Sequence, residues 1–243
     1  MKQILFILFA IATFYAQAQT KTESNYTPAA FWLTPRIEFE LKDSSALFLE
    51  TNLRYTDFNN KPLNYRSYAE LGYEHVLNSS LHFGTSIKGI RLTGKNEIYF
   101  KLYAFHQSKL FKQNFRKGLY LEYLNELPDD NMYSVEQNYI RWSVEFGLSK
   151  TFTKHIGYDL TFRPFQQLSF RESSHFDDRW FDLMRLSLEM YYLVGKNHRL
   201  AVLFMKESVY YWVSAATPNY NLNQHRLVLG INYTYRFKNN DNN

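Results

Sequence analysis

The stretch Arg226-Leu227-Val228-Leu229-Gly230-Ile231-Asn232-Tyr233-Thr234-Tyr235-Arg236-Phe237 decides the fold. Leu227, Leu229, Ile231, Tyr233, Tyr235 and Phe237 recur every second residue, with Arg226, Gly230, Asn232, Thr234 and Arg236 between them. Successive side chains of a strand point to opposite faces, so this segment is a strand with one apolar wall and one largely polar wall. The same period runs through Phe31, Leu33, Pro35, Ile37, Phe39 and Leu41, set against Trp32, Thr34, Arg36, Glu38, Glu40 and Lys42. It returns in Ile140, Trp142, Val144, Phe146 and Leu148, opposite Tyr139, Arg141, Ser143, Glu145 and Gly147.

Comparable strands are expected near residues 46–58, 63–76, 81–92, 97–109, 115–126, 156–168, 180–193 and 198–208. Their length is informative. Strands of soluble domains usually run about 5–6 residues, whereas membrane-spanning strands need about 9–11 because they tilt. Composition agrees: 20 Tyr and 21 Phe stand against 9 Gly and 6 Pro in 243 residues. A mean hydropathy of -0.43 excludes a bundle of transmembrane helices, and 19% aromatic residues exclude disorder. There is no Cys, which excludes a disulfide scaffold, thiolate-bound zinc and a thiol nucleophile. The net charge of +5 is spread along the chain, giving no nucleic-acid footprint.

A β-sandwich and a lipocalin-like barrel compete with a membrane barrel. Opposite charges four residues apart lie on one side of one strand in Glu50/Arg54, Arg66/Glu70, Arg141/Glu145, Asp159/Arg163 and Arg185/Glu189. Water does not demand such compensation; a confined polar lumen does. Aromatic residues near strand ends fit interfacial girdles on the opposite face. The expectation is therefore an all-β fold, a closed antiparallel transmembrane β-barrel over residues 19–243. Eleven segments are visible, but single-chain bacterial barrels use even numbers. That rule sets the expected count at about twelve, with a weak strand in residues 20–30, or else ten. The longer connections, residues 127–137, 169–179 and 209–223, share one end; the turns at Ser44, Ser79, Asn114 and Lys196 share the other.

Residues 1–18 read as a signal peptide. Lys2 supplies the positive start, Ile4 to Phe14 the apolar run, and Ala16-Gln17-Ala18 the cleavage site. The apolar run falls short of the ~20 residues a spanning helix needs. Export by the Sec route to the cell outer membrane follows as the expected location.

Gly230, Tyr233, Tyr235 and Phe237 resemble an outer-membrane assembly signal, although Lys238 to Asn243 follow the terminal aromatic residue. More broadly the chain resembles the outer-membrane barrel family designated domain of unknown function 2490. The carriers are Trp32, Leu49 to Tyr55, Glu70-Leu71-Gly72-Tyr73, Leu119 to Glu122, Tyr139 to Trp142 and the closing hairpin from Arg185 to Phe237. The resemblance implies a barrel and an envelope location, and implies no activity or site.

His106-Gln107-Ser108 is the sharpest enzymatic pattern. In outer-membrane lipid hydrolases a His-x-Ser pair on one strand puts imidazole and hydroxyl on the lipid-facing side, where His activates Ser. The third member would fall at Tyr120, which cannot orient an imidazole as Asn or Glu does. A second pattern is His175 with Asp177 and Asp178, in an expected extracellular loop, where a His and acids activate water or hold a metal. His75 and His82 flank one turn and are a possible metal pair. Plainer readings are a rim histidine, a solvated loop and rim histidines, respectively. No Gly-rich phosphate loop or HExxH occurs. No cofactor and no metal are expected.

The expected lumen network is Glu50, Arg54, Arg66, Glu70, Glu122, Arg141, Glu145, Asp159, Arg163, Arg185 and Glu189, close to neutral, with tyrosines as fillers. The functional expectation is a narrow passive channel or an envelope structural protein. An outer-membrane hydrolase of lipid or peptide, or a soluble periplasmic β-domain, are the alternatives. Expected partners are outer-membrane lipid, the barrel-assembly machinery and small polar solutes.

Overall fold

The structure is a computed structural model of the chain and describes residues 24–26, 29–41, 44–56, 67–92, 95–128, 138–169, 183–210 and 223–238. The expected leader, residues 1–18, lies outside the described residues. All regular structure described is strand: β1 (Ser24–Tyr26), β2 (Ala30–Glu40), β3 (Ser45–Thr56), β4 (Ser67–Val76), β5 (Leu81–Leu92), β6 (Lys95–Leu110), β7 (Gln113–Pro128), β8 (Asn138–Thr151), β9 (Ile156–Ser169), β10 (Leu183–Val194), β11 (His198–Tyr210) and β12 (Asn223–Phe237). Alternation placed every one of the eleven long strands within a few residues of where it lies.

From β2 to β12 each strand pairs antiparallel with the next, and β12 returns to β2 to close a barrel. The closing pair is parallel, running from Val228 opposite Ala30 to Phe237 opposite Phe39. This corrects the expected twelve strands, the ten kept beside it, and wholly antiparallel pairing. The weak strand sought in residues 20–30 exists as β1, but it is no separate stave. It pairs parallel with the start of β12, on the edge that β2 occupies farther along. With eleven staves the first and last run in the same direction, so closure has no antiparallel option. An odd count closed in this way is known among mitochondrial barrels.

Glycine makes the seam close. A Cβ on Gly230 would lie 2.9 Å from the Trp32 carbonyl oxygen of β2, inside any tolerable contact. At the end of the seam the rings of Phe39 and Phe237 stack at 4.9 Å, nearly coplanar.

Following paired residues around the sheet from Arg36 leads to Glu50, Glu70, Lys88, Tyr99, Leu124, Tyr139 and Ser169. The line climbs steadily along the strands, and a full circuit returns to β2 displaced by about 14 residues. Eleven strands with that stagger tilt about 40° and enclose a backbone cylinder of roughly 10 Å radius. The hairpins at Leu77 to Ser80, Phe111-Lys112, Phe152 to His155 and Gly195 to Asn197 lie at one end, the turn end. Residues 57–66, 129–137, 170–182 and 211–222, outside the described residues, join strands at the opposite, loop end. The turn expected at Asn114 falls instead at Phe111-Lys112, whose positive φ values of 51° and 63° make a tight two-residue hairpin.

The sidedness of the wall is the reverse of a soluble protein's. Leu71, Ile87, Leu102, Leu119 and Leu227 point outward and are 53–62% exposed. Glu70, Glu122 and Glu145 point inward and are 4–6% exposed. Inside, polar contacts stand beside two apolar clusters, one of Ala30, Trp32, Leu203, Met205 and Val228 and one of Ile90, Tyr99 and Leu124.

Candidate functional site: the charged lumen

Toward the turn end the inward set is rich in acid. Arg36 of β2 is gripped by Glu38 at 2.8 Å, Glu74 at 3.1 Å and Glu50 at 3.4 Å. Its guanidinium also lies 3.9 Å above the Phe48 ring. That ring occupies the place where a side chain at Gly72 would sit. Arg236 of β12 reaches Glu38 at 2.8 Å across the seam, tying the closing pair by charge as well as by backbone. Arg199 joins Asp159 at 2.6 Å and Glu189 at 2.9 Å. Tyr68 donates to Glu50 at 2.6 Å and Tyr103 to Glu74 at 2.7 Å, so phenols absorb acceptors that cations leave over. A cavity of about 90 Å³ is lined by Gln107, Asn114, Arg116, Ser149 and Asp159, among others. That is room for about three waters.

Toward the loop end, among the described residues, carboxylates are shared between guanidiniums. Glu122 is shared by Arg141, whose Nε donates at 2.8 Å, and by Arg163 at 3.5 Å. Glu207 is shared by Arg185 at 2.8 Å and Arg226 at 3.8 Å. Guanidiniums also use aromatic faces: Arg54 over Trp32 at 4.0 Å and Arg163 over Tyr120 at 3.7 Å. Arg141, Arg163 and Arg185 all lie within 5.1 Å of the buried Phe165 ring. Stacking on a ring face stabilises a cation without consuming an acid.

The described residues of the expected network lie on the inner face, and the ion pairs they make are with other residues than the spacing of four named. Among the described residues, Glu50 pairs with Arg36, Glu70 with Lys101, Glu145 with Arg116, Asp159 and Glu189 with Arg199, and Arg185 with Glu207. Residues four apart on a strand are about 13 Å apart, a gap that only two extended side chains leaning toward each other would span, whereas cross-strand neighbours lie about 5 Å apart. Arg66 lies outside the described residues. Sequence reasoning missed Lys88, Arg199 and Glu207. The alternation of β5 and β11 was the signal that would have found them.

His106 and Ser108 do share the outward face of β6, and His106 is exposed, but no hydrogen bond joins them among the described residues. Tyr120, at the third position, points inward and donates to Glu145 at 3.2 Å. His75 and His82 fall on opposite faces: His75 is outward, 2.8 Å from the Ser45 hydroxyl, and His82 is inward, stacked on Phe105. They cannot share a metal, because strand parity separates them. His175, Asp177 and Asp178 lie outside the described residues. Two Ser–His contacts were not foreseen: Ser45 with His75, and Ser208 with His225 at 3.0 Å. Each joins neighbouring strands, and both hydroxyl-bearing residues are buried, so they serve as cross-strand hydrogen bonds.

Tyr233, Tyr235 and Phe237 line the outward face of β12 at the turn end. Tyr233 meets His198 at 2.8 Å, and Tyr235 packs edge-on against Phe237 at 4.4 Å. Fold and lumen together define a closed eleven-strand β-barrel with an ion-paired polar interior and an apolar exterior. No protein-family model matches the chain, and no curated protein matches it significantly.

Proposed function

We propose that this protein is an outer-membrane β-barrel whose lumen is a narrow, water-containing path for small polar solutes. One observation carries the location: a continuous belt of exposed Leu, Ile, Val and Phe surrounds an interior of carboxylates and guanidiniums. In water such a belt greatly exceeds the apolar patches soluble monomers expose. In lipid it is the required exterior, and closure leaves no strand edge unsatisfied. Strands of 10–16 residues suit the span, since twelve residues tilted about 40° advance about 30 Å. The turn end, with its short hairpins and aromatic residues, would face the periplasm, and Gly230, Tyr233, Tyr235 and Phe237 would present the assembly signal there. Residues 1–18 would be removed on export. The segments that resemble the domain of unknown function 2490 barrels fit the same location.

The path is narrow because a backbone radius of roughly 10 Å is largely filled by side chains. Its Arg and Glu lattice crosses from strand to strand, which favours, as the second reading, an envelope protein with a sealed lumen. The test is single-channel recording of the chain from Gln19 refolded into a planar bilayer. Discrete steps are expected, and they should enlarge in Arg141→Ala/Arg185→Ala. Silence from protein that has inserted overturns the channel in favour of the sealed barrel. A chain that stays soluble on fractionation and shows no heat-dependent gel shift overturns the membrane location.

A further inference from the structure

The outer wall is recessed across β4 to β7, where a cavity of about 490 Å³ opens on the apolar face. That is the size of a small-molecule pocket, roughly 300–1,000 Å³. Its origin is short side chains among long ones. Ala104 of β6 stands opposite Phe83 on one neighbour and Leu119 on the other, and Thr85 of β5 stands between Tyr73 and Leu102. Those four larger residues are 38–58% exposed, so Ala104 and Thr85 form a floor below a rim of rings and branched chains. His75 lies at the end of the recess nearest the hairpins, and Leu121 at the end toward mid-wall.

An independent feature marks the turn-side end. Two residues nearer the hairpin than Ala104 and Leu119 stand His106 and Lys117, opposite each other and both exposed on the outer face. The Lys117 ammonium extends toward the turn end, since it lies 5.6 Å from the ring of Phe115, the next outward residue in that direction. Among the described residues no carboxylate pairs with it. The carboxylate side chains described on β4 to β8, those of Glu70, Glu74, Glu97, Glu122 and Glu145, all alternate to the inner face. The hairpins at Leu77 to Ser80 and at Phe111-Lys112 contain no acid. Residues 42–43 and 239–243, outside the described residues, adjoin β2, β3 and β12 rather than β6 and β7. Along the outer rows the order is thus polar, then apolar: Lys117, Leu119, Leu121 on β7 and His106, Ala104, Leu102 on β6. A phospholipid lying with its headgroup at the turn end has the same order.

From this we infer that the recess holds an acyl chain of an anionic phospholipid from the leaflet at the turn end, with Lys117 and His106 meeting its phosphate. An acyl chain already in a bilayer gains no hydrophobic transfer at the wall; what it gains is dispersion contact with the floor and rim. Selectivity therefore comes from the headgroup. The ammonium attracts a phosphate diester at the interface, and the imidazole donates an N–H to it without needing a charge. A glycerol headgroup keeps the net negative charge, whereas a choline headgroup cancels it. This inference rests on the membrane location, and the measurement below separates the two.

The test is native mass spectrometry of the chain from Gln19, folded in detergent and titrated with dioleoyl phosphatidylglycerol or, for comparison, dioleoyl phosphatidylcholine. Phosphatidylglycerol should be held about fivefold more tightly, the worth of one basic residue at an anionic lipid surface. Lys117→Gln should erase that preference and leave the phosphatidylcholine affinity within about twofold, whereas a damaged barrel loses both lipids. Ala104→Phe fills the recess with an apolar side chain and should weaken both lipids about tenfold. Lys150→Gln, exposed on the outer face of β8 outside the recess, should change neither. Equal binding of the two lipids by protein that shows the heat-dependent gel shift overturns the inference and leaves the membrane location standing, as does wild-type lipid binding in Ala104→Phe. A dimer that Ala104→Phe dissociates and phosphatidylglycerol does not displace overturns it in favour of a second copy of the chain. A chain that stays soluble on fractionation overturns the location and the inference together.

Discussion

Parallel closure between β2 and β12 can be tested by covalent capture, because the chain has no Cys to interfere. Leu33 stands opposite Ile231, and Ile37 opposite Tyr235. Paired residues on neighbouring strands have Cα atoms about 5 Å apart, inside the roughly 4.4–6.8 Å window of a disulfide. A slip of two residues adds about 6.6 Å along the strand and puts the atoms about 8 Å apart, outside that window. A twelfth strand between β2 and β12 would separate them by about 10 Å. Leu33→Cys/Ile231→Cys should therefore crosslink on mild oxidation of the folded protein, and Leu33→Cys/Tyr233→Cys should not. The second pair fixes the direction: Ile37→Cys/Tyr235→Cys should crosslink as well. In an antiparallel seam anchored at 33 and 231, residue 37 would oppose 227 and lie about 26 Å from 235. The readout is a non-reducing denaturing gel, with the linked peptide identified by mass spectrometry. Failure of both matched pairs in folded barrel, or capture of only one, refutes parallel closure and reinstates an even strand count.

Three further outcomes follow from the same geometry. Leu71→Arg, at mid-height on the outward face, should cost about 2–4 kcal/mol in vesicle refolding titrations; an unchanged midpoint would mean that water, not lipid, bathes Leu71. Glu122→Ala strands Arg141 and Arg163 and should cost about 3 kcal/mol in urea unfolding of the detergent-folded barrel, while Glu40→Ala, at the open rim, should cost under about 1 kcal/mol. Equal costs would show that the lumen screens charge as bulk water does. Gly230→Val pushes a methyl-bearing carbon against the Trp32 carbonyl, so the folded, heat-sensitive gel band should lose about 1–3 kcal/mol of stability. A wild-type melting profile in this variant would argue that β12 does not abut β2 there.

Much of the barrel was readable residue by residue. Leu227 to Phe237 and Ile140 to Leu148 alternate so strictly that strand identity and the division into two faces followed from parity, while the charges on the polar face were what set that face inward. Turn chemistry was less readable. Phe111 and Lys112 carry a hairpin that ordinarily selects Asn-Gly or Asp-Gly, and nothing in those side chains announces a positive φ. Partner choice was unreadable for a different reason. That Arg141 meets Glu122, and Arg185 meets Glu207, depends on the register between strands, which a one-dimensional pattern does not contain.

Strand count shows the division most sharply. Eleven alternating segments were on the page, yet an even number was expected, because no local feature says whether the first and last strands meet. Alternation is a property of each strand and is enforced by which wall faces which medium, so it is written into the residues in order. Closure, register and ion pairing in the lumen are properties of the circuit. They arise only when Gly230 lets β12 approach Trp32, Arg236 reaches Glu38, and a stagger of about 14 residues brings distant charges to one height.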